Sequence, residues 1–519
     1  MSELDPRITE ALARLPDYLG QHVIVSVTAL ALGLAISLPL AVIATRRASL
    51  RWPLLAFASL IQTIPGLALL ALFYPLLLGI SAVTETVLGT GFSALGFLPS
   101  VLALTLYSML PVLRNTVTGI LGIDPAVNQA ALGVGMTPRQ SLWMVELPLA
   151  LPVIMAGIRT SAVWVIGTAT LSTPVGQTSL GNYIFAGLQT QNWVSVLFGC
   201  VAAALLALVV DQLLALMESG IAMRKRARVA FGGVGLVLVL LAALAPGFAR
   251  PPATYIVGAK TFTEQYILAS LIQQRLRANG FSSAHREGLG STVIFEALAT
   301  GEIDTYVDYS GTIWANHMGR KDVKPREQVL AEMGAWLRKE RGIEMLGDLG
   351  FENAYALAMR RDRAEQLRIR TIEDLVAHAP QLAIGGDYEF FDRPEWTSLR
   401  DAYGLRFRER RQMDSTFMYG AVANGDVDVI SAFSSDGRIA RFGLIVLDDP
   451  KRALPPYDAV LLLSPQRAQD EDLRNALAPL IGKIDVELMR AANLRADREE
   501  NKETPAQAAR WLSEQISRR

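Results

Sequence analysis

Long uninterrupted apolar stretches dominate the first half of this chain, near 22–45, 53–80, 97–119, 148–172, 193–217 and 229–247. Most are close to the roughly 20 residues that an α-helix needs to cross a hydrocarbon core. The pattern therefore predicts six membrane spans. The stretch Ser81–Gly96 is more polar and glycine-rich and reads as an outer loop. From Thr254 onward the pattern changes to short β-type runs alternating with helical ones: Tyr255–Lys260, Thr292–Thr300, Glu302–Tyr309, Gln381–Ile384 and Asp426–Ile430. That order predicts an α/β domain with a largely parallel sheet and a ligand at the C-terminal ends of its strands. About 265 residues suffice for two lobes with a cleft between them.

The expected organisation is an all-α membrane unit over 1–222, a basic cluster, sixth span and linker over 223–253, and a two-lobed α/β domain over 254–519. Charge follows the same division. From Leu19 to Met223 the charged side chains are Arg46, Arg47, Arg51, Glu85, Arg114, Asp124, Arg139, Glu146, Arg159, Asp211 and Glu218, whereas they are dense after Pro252. Lys and Arg are retained on the cytoplasmic side of membranes. One assignment puts Arg46–Arg51, Arg114, Arg139 and Arg224–Arg228 all on that side, and it delivers the C-terminal domain to the extracytoplasmic face of the cytoplasmic (inner) membrane. Ala243-Leu244-Ala245 resembles a signal cleavage site, but an uncleaved span is the expectation. The formal net charge of zero gives no support for a nucleic-acid partner. Cys200 is the single cysteine, so an internal disulfide is excluded. The histidines His22, His285, His317 and His378 are scattered and read as solvated or capping rather than metal ligands. No cofactor is expected.

Between the third and fourth spans, Asn128 to Arg139 and then Val145-Glu146-Leu147-Pro148 read as an amphipathic segment, a glycine turn and a second helix started by Thr137-Pro138. This resembles the coupling loop of ABC importer permeases, in which Glu-Ala-Ala is followed at fixed spacing by Gly and by Ile-x-Leu-Pro. Ala130, Ala131, Gly135, Leu147 and Pro148 fit. Gln129 replaces the glutamate, and Leu132 stands where such loops are often basic. No Gly-x-x-x-x-Gly-Lys-Ser/Thr occurs, so nucleotide hydrolysis is assigned to a separate ATP-binding subunit. With one permease half per chain, a homodimer is the simplest way to surround a pathway.

In the second half, Thr261 and Glu264 have the spacing of a capping box, so a helix is expected to start there. Gly258–Gln265, Ala299–Thr312 and Ser434–Ile439 together resemble the binding proteins of osmoprotectant importers, which take up glycine betaine, choline and carnitine. With the coupling loop, the resemblance is to fused permease–binding proteins of that family, and it implies an all-α membrane permease of the binding-protein-dependent transport inner-membrane type over 1–222 and a periplasmic-binding-protein-like domain over 254–519. It implies a transport subunit, not an enzyme. It also implies an aromatic cage, because a quaternary ammonium has no hydrogen-bond donor and is held by ring faces. Tyr309 and Tyr355 are the first cage candidates, followed by Phe390, Trp396 and Tyr419. Gln265, Ser291 and Thr292 are candidates for polar contacts, and Ser435 and Asp436 for lining the cleft from the second lobe. The alternative ligand is ergothioneine or another amino-acid-like solute, which an arginine-rich or acidic cleft would favour. A ligand-gated channel or sensor is a weaker rival, since it has no need of the coupling loop. A membrane-anchored enzyme is weaker still, since no nucleophile–base pair is recognisable.

Overall fold

The computed structural model describes residues 5–89, 92, 94–249, 253–320, 322, 324–498 and 500–518. Residues 250–252, in the linker expected within 223–253, lie outside them. Two compact units form, one of Met1–Phe185 with Val194–Pro251 and the other of Ala186–Trp193 with Pro252–Arg519.

Among the described residues of the first unit, six helical stretches are long and apolar enough to cross a membrane: Pro6–Arg46, Gly66–Leu88, Phe97–Leu121, Pro138–Val175, Trp193–Ala222 and Arg226–Pro246. The first begins well before residue 22, because Asp5 caps it and a proline occupies its first turn. The span expected over 53–80 is broken in two, Ala48–Thr63 and Gly66–Leu88. Pro65 disfavours helical geometry in the residue before it, and Ile64 is extended at φ −73° and ψ 128°. The outer loop expected from Ser81 is accordingly helical as far as Leu88.

Helix Phe97–Leu121 lies between Pro6–Arg46 and Leu147–Ala169. Small residues let these backbones approach. A Cβ on Gly33 would meet Ser108 Oγ at 1.8 Å, and one on Gly157 would meet the Pro111 carbonyl at 2.8 Å. His22 is fully buried, with Nε2 3.0 Å from the Ile166 carbonyl and Nδ1 accepting the Leu180 N–H at 3.4 Å. It ties the bundle together rather than being solvated or capping.

The loop before the fourth span folds as helix Pro125–Gly133, a turn at Gly135 (φ +83°), and a helix whose cap Thr137 forms a reciprocal capping box with Gln140. The chain then passes through one π-helical stretch, Leu142–Glu146, into helix Leu147–Ala169. Glu146 is buried; it accepts Arg46 Nη2 at 2.6 Å and Ser141 Oγ at 3.1 Å. Leu132, Val134, Trp143 and Met144 stand exposed.

Among the described residues of the second unit there are ten strands: β1 (Tyr255–Lys260), β2 (Ser283–Leu289), β3 (Thr305–Tyr309), β4 (Glu344–Glu352), β5 (Tyr355–Arg360), β6 (Ala383–Gly386), β7 (Glu409–Gln412), β8 (Val429–Phe433), β9 (Leu444–Val446) and β10 (Asp458–Leu463). They form two sheets, ordered β2-β1-β3-β10-β4 and β7-β6-β8-β5-β9, one in each lobe. The sheets are mixed, not largely parallel. β1 runs parallel to β2 and β3, and β6 runs parallel to β7 and β8. β10 is antiparallel to β3 and β4, as is β5 to β8 and β9. The reason is topological: the chain crosses between lobes after β4 and again before β10, and β5 and β10 enter their sheets from the other lobe. Val257, Ile267, Leu461 and Leu463 are among the fully buried side chains of the core. Helices Val486–Asp497 and Pro505–Ser517 close its outer face against helix Thr263–Ala278.

Candidate functional site

The strand ends that face each other across the lobes enclose a cleft with a cavity of about 240 Å³. The loop after β1 supplies Lys260, Thr261 and Phe262, and the end of β3 supplies Tyr309. Across from them stand Tyr355 at the start of β5, Asp387 and Tyr388 after β6, and Phe433 with Ser435 and Asp436 at and after β8. Tyr457, before β10, completes the wall.

The rings form a continuous array. Tyr355 and Phe433 are direct cross-strand partners in the β5–β8 ladder, which sets their ring centroids 5.0 Å apart. Phe262 stacks on Phe433 at 6.3 Å and on Tyr309 at 6.1 Å, and Tyr457 meets Tyr355 edge-on at 5.9 Å. Three cationic side chains (Lys260, Arg393, Arg438) and six acidic ones (Glu264, Asp387, Glu389, Asp414, Asp436, Asp497) also line the cleft. That surplus of acids over cations favours a positively charged ligand.

All three cations are paired with acidic side chains. Lys260 is bound to Asp308, which also accepts the Tyr306 hydroxyl. Arg438 donates to Asp436 from Nε and Nη2 at 3.0 and 2.7 Å and to the Ser415 carbonyl from Nη1 at 3.0 Å. Arg393 differs. It lies 5.2 Å above the Tyr355 ring; Nη1 donates to Glu389 at 2.8 Å and Nε to Glu395 at 3.3 Å. Its Nη2 has no hydrogen-bond partner among the described residues, although the side chain is only 9% exposed. Burial alone pulls the Arg393 pKa down. The neighbouring Tyr355, Tyr457, Glu395 and Glu389 outweigh this and hold the guanidinium charged.

Glu264 sits at the bottom of the cleft, fully enclosed. Its carboxylate accepts four hydrogen bonds, from the Tyr309 hydroxyl (2.6 Å), Asn353 Nδ2 (3.0 Å), Ser435 Oγ (2.6 Å) and Asn493 Nδ2 (2.8 Å). Burial raises its pKa, and the Ser435, Tyr309 and Asn493 bonds work against that rise. Burial also pushes the Asp497 carboxyl up to about 6, opposed by Arg438. The expected capping box does not form. The helix starts at Thr263 with Phe262 as its cap, because the Glu264 side chain is turned into the cleft.

Of the residues read from the sequence, Ser291, Tyr309, Tyr355, Ser435 and Asp436 line the cleft. Five do not. Gln265 is buried behind the wall and donates to the Val307 carbonyl and the Tyr309 hydroxyl, both at 3.0 Å, so it orients Tyr309. Thr292 lies one residue inside helix Ser291–Ala299, exposed to solvent. Phe390 and Trp396 are core, stacked behind Tyr355. Tyr419 is fully buried beneath Arg438, whose guanidinium lies 4.1 Å from its ring centre. Periodicity cannot separate a cage ring from a core ring, and the sequence reading missed Phe262, Phe433, Tyr457, Glu264 and Arg393. Phe262 and Glu264 lie inside the selected motif Gly258–Gln265 and Phe433 adjoins Ser434–Ile439, and that placement was the available signal.

Residues 253–514 match the family described as the substrate binding domain of ABC-type glycine betaine transport systems, and the chain belongs to it. Residues 37–223 match the binding-protein-dependent transport system inner membrane component. The chain is thus a fused permease and binding protein of an ABC importer, a transport subunit that works with an ATPase partner and a small ligand. The ergothioneine transport permease/ergothioneine binding protein of Helicobacter pylori (strain G27) is 29% identical over 86% of this chain and 80% of its own length. The choline transport system permease protein of Bacillus subtilis (strain 168) is 41% identical over 38% of this chain and 84% of its own. The glycine-betaine-binding protein of Pseudomonas aeruginosa is 32% identical over 53% of this chain and 91% of its own. A crystal structure of a glycine betaine/carnitine/choline ABC transporter chain covers 51% of this chain and 98% of its own, with 25% identity and a TM-score of 0.46.

Proposed function

We propose that this chain imports quaternary-ammonium compounds that carry a carboxylate, the glycine betaine and carnitine class, with choline a weaker ligand. The observation that carries this reading is Arg393. One guanidinium N–H₂ group is buried at an aromatic, acid-rich cleft and has no acceptor among the described residues. A buried donor left without an acceptor costs about 1–3 kcal/mol, and a ligand carboxylate removes that cost. The rings of Phe262, Tyr309, Tyr355, Phe433 and Tyr457 supply faces for the trimethylammonium end. Ergothioneine, itself a trimethylammonium zwitterion, is the second reading, favoured by the fused Helicobacter relative that aligns along most of this chain. Calorimetric titration of the full-length chain in lipid nanodiscs with glycine betaine, carnitine, choline and ergothioneine tests the assignment. Tighter binding of a zwitterion than of choline is expected. Equal affinity for choline would remove the role given to Arg393, and no binding at all would turn the search to amino acids.

The permease is proposed to work as a homodimer in the cytoplasmic membrane, with 254–519 outside and the knob Gln129–Pro148 inside. Its exposed Leu132, Val134, Trp143 and Met144 form an apolar surface suited to docking the ATPase. Val134→Asp together with Trp143→Asp is expected to abolish co-purification of the ATPase while leaving ligand affinity unchanged. Intact assembly and transport would refute the coupling role.

A further inference from the structure

The membrane unit holds a second concave site with the chemistry of a cation trap. Helix Leu147–Ala169 contributes Arg159, Thr160 and Trp164, and helix Trp193–Ala222 contributes Asp211 and Glu218, around a cavity of about 360 Å³. Arg159 grips Asp211 with two bonds, Nε to Oδ1 at 2.5 Å and Nη2 to Oδ2 at 2.8 Å. Glu218 approaches the same guanidinium only at 3.5 Å. The pair Arg159–Asp211 is neutral, so Glu218 leaves the cavity with a residual negative charge. Trp164 is 54% exposed and adds an indole face beside it.

Depth makes this arrangement expensive if it faced lipid. At 1.5 Å per residue, Arg159 lies about 18 Å from the Leu147 end of its helix and Asp211 about 17 Å from the Ala222 end. Both are thus near the middle of a core about 30 Å thick. A charged side chain there is costly unless it meets protein or water. Asp211 is too short to reach the headgroups. The neighbouring exposed positions also differ in kind. Thr160 and Gly167 are exposed on the Arg159 side and Gln212 beside Asp211, whereas Val201, Leu205 and Leu208, farther along helix Trp193–Ala222, present only hydrocarbon.

We propose that this cavity is a membrane-embedded transit site, facing water, in which Glu218 holds the ammonium group of the transported cation at one level and the Trp164 face receives it at another. The ligand class rests on the reading under Proposed function; the water-facing cation site does not. The test uses the full-length Cys200→Ala protein in nanodiscs with Thr160→Cys or, as a lipid-facing control, Leu205→Cys, about 120° round the helix from Asp211. The probes are a trimethylammonium-ethyl and a sulfonatoethyl methanethiosulfonate, each rate divided by that reagent's rate with free cysteine.

Thr160→Cys is expected to react at least about tenfold faster than Leu205→Cys with the trimethylammonium reagent and to prefer it over the sulfonate by a similar factor, equivalent to about 1.4 kcal/mol. Adding Glu218→Gln, a near-isosteric change, is expected to collapse that preference several-fold. Trp164→Phe should retain more of it than Trp164→Ala. A Thr160→Cys as unreactive as the control, or one reacting alike with both reagents, overturns the proposal. Glycine betaine titration of the same preparation reports separately on the clamshell. A failure there with a positive labelling result would strike the ligand class and leave the cation site standing.

Discussion

Arg393→Gln is expected to weaken glycine betaine binding by about a hundredfold and to change choline binding far less. A hydrogen bond to a charged group contributes about 1.5–3 kcal/mol, and guanidinium–carboxylate pairs lie at the strong end. A loss of about 2.7 kcal/mol is a hundredfold in affinity. The geometry sets the direction. Nη1 and Nε are anchored by Glu389 and Glu395, so Nη2 is held still while lacking an acceptor, and a bound carboxylate gains its bond without first ordering the donor. Choline has no carboxylate to lose. Arg393→Lys keeps the charge but not the planar fork, and recovery of only part of the affinity is expected. Calorimetry on the full-length chain reads all three. Equal losses for glycine betaine and choline would show that Arg393 serves only to brace Tyr355, over whose ring it lies.

Glu264→Ala is expected to be the most destabilising single change in the binding unit. It strips the acceptor from four buried donors at once, drawn from β3, the β4–β5 crossing, the segment after β8, and helix Val486–Asp497. Each orphaned donor costs about 1–3 kcal/mol, though water entering the space offsets part of it. A net loss of several kcal/mol lowers the melting temperature of a domain this size by roughly 10 °C. Glu264→Gln keeps the shape but turns an N–H₂ group towards donors, so an intermediate loss is expected. Thermal unfolding followed by tryptophan fluorescence in nanodiscs measures both. A melting point within about 2 °C of wild type for Glu264→Ala would mean the network contributes little to stability.

The permease half was legible because lipid imposes its demand residue by residue: the apolar stretches had to be long and nearly free of charge, and six of them are. What pattern did not reveal was the break at Ile64-Pro65, where two short helices replace one long span. The alternation of strand and helix identified the lobes. Strand direction was not legible, because β5 and β10 run opposite to their neighbours through crossings between lobes that no local signal records. The site shows the same division. Tyr309 and Tyr355 were found beside motifs, whereas Phe390 and Trp396 are aromatic at plausible spacing yet stacked in the core. Arg393 reads as one more surface arginine until Tyr355, Glu389 and Glu395 are seen around it. An arginine-rich or acidic cleft was expected to point to amino acids. The cleft is acidic and aromatic together, and one guanidinium nitrogen of Arg393 stands in it without an acceptor among the described residues.

The ring array is divided between the two lobes: Tyr309 and Phe262 belong to the sheet that begins with β1, Tyr355 and Phe433 to the one that holds β8. A ligand held by these rings would be gripped by two hands, one from each lobe. Neither hand alone offers a complete grip, so capture and shutting are one event, and the affinity measured for any solute already includes the work of bringing the hands together. A molecule that touches only one of them occupies the clamshell without latching it.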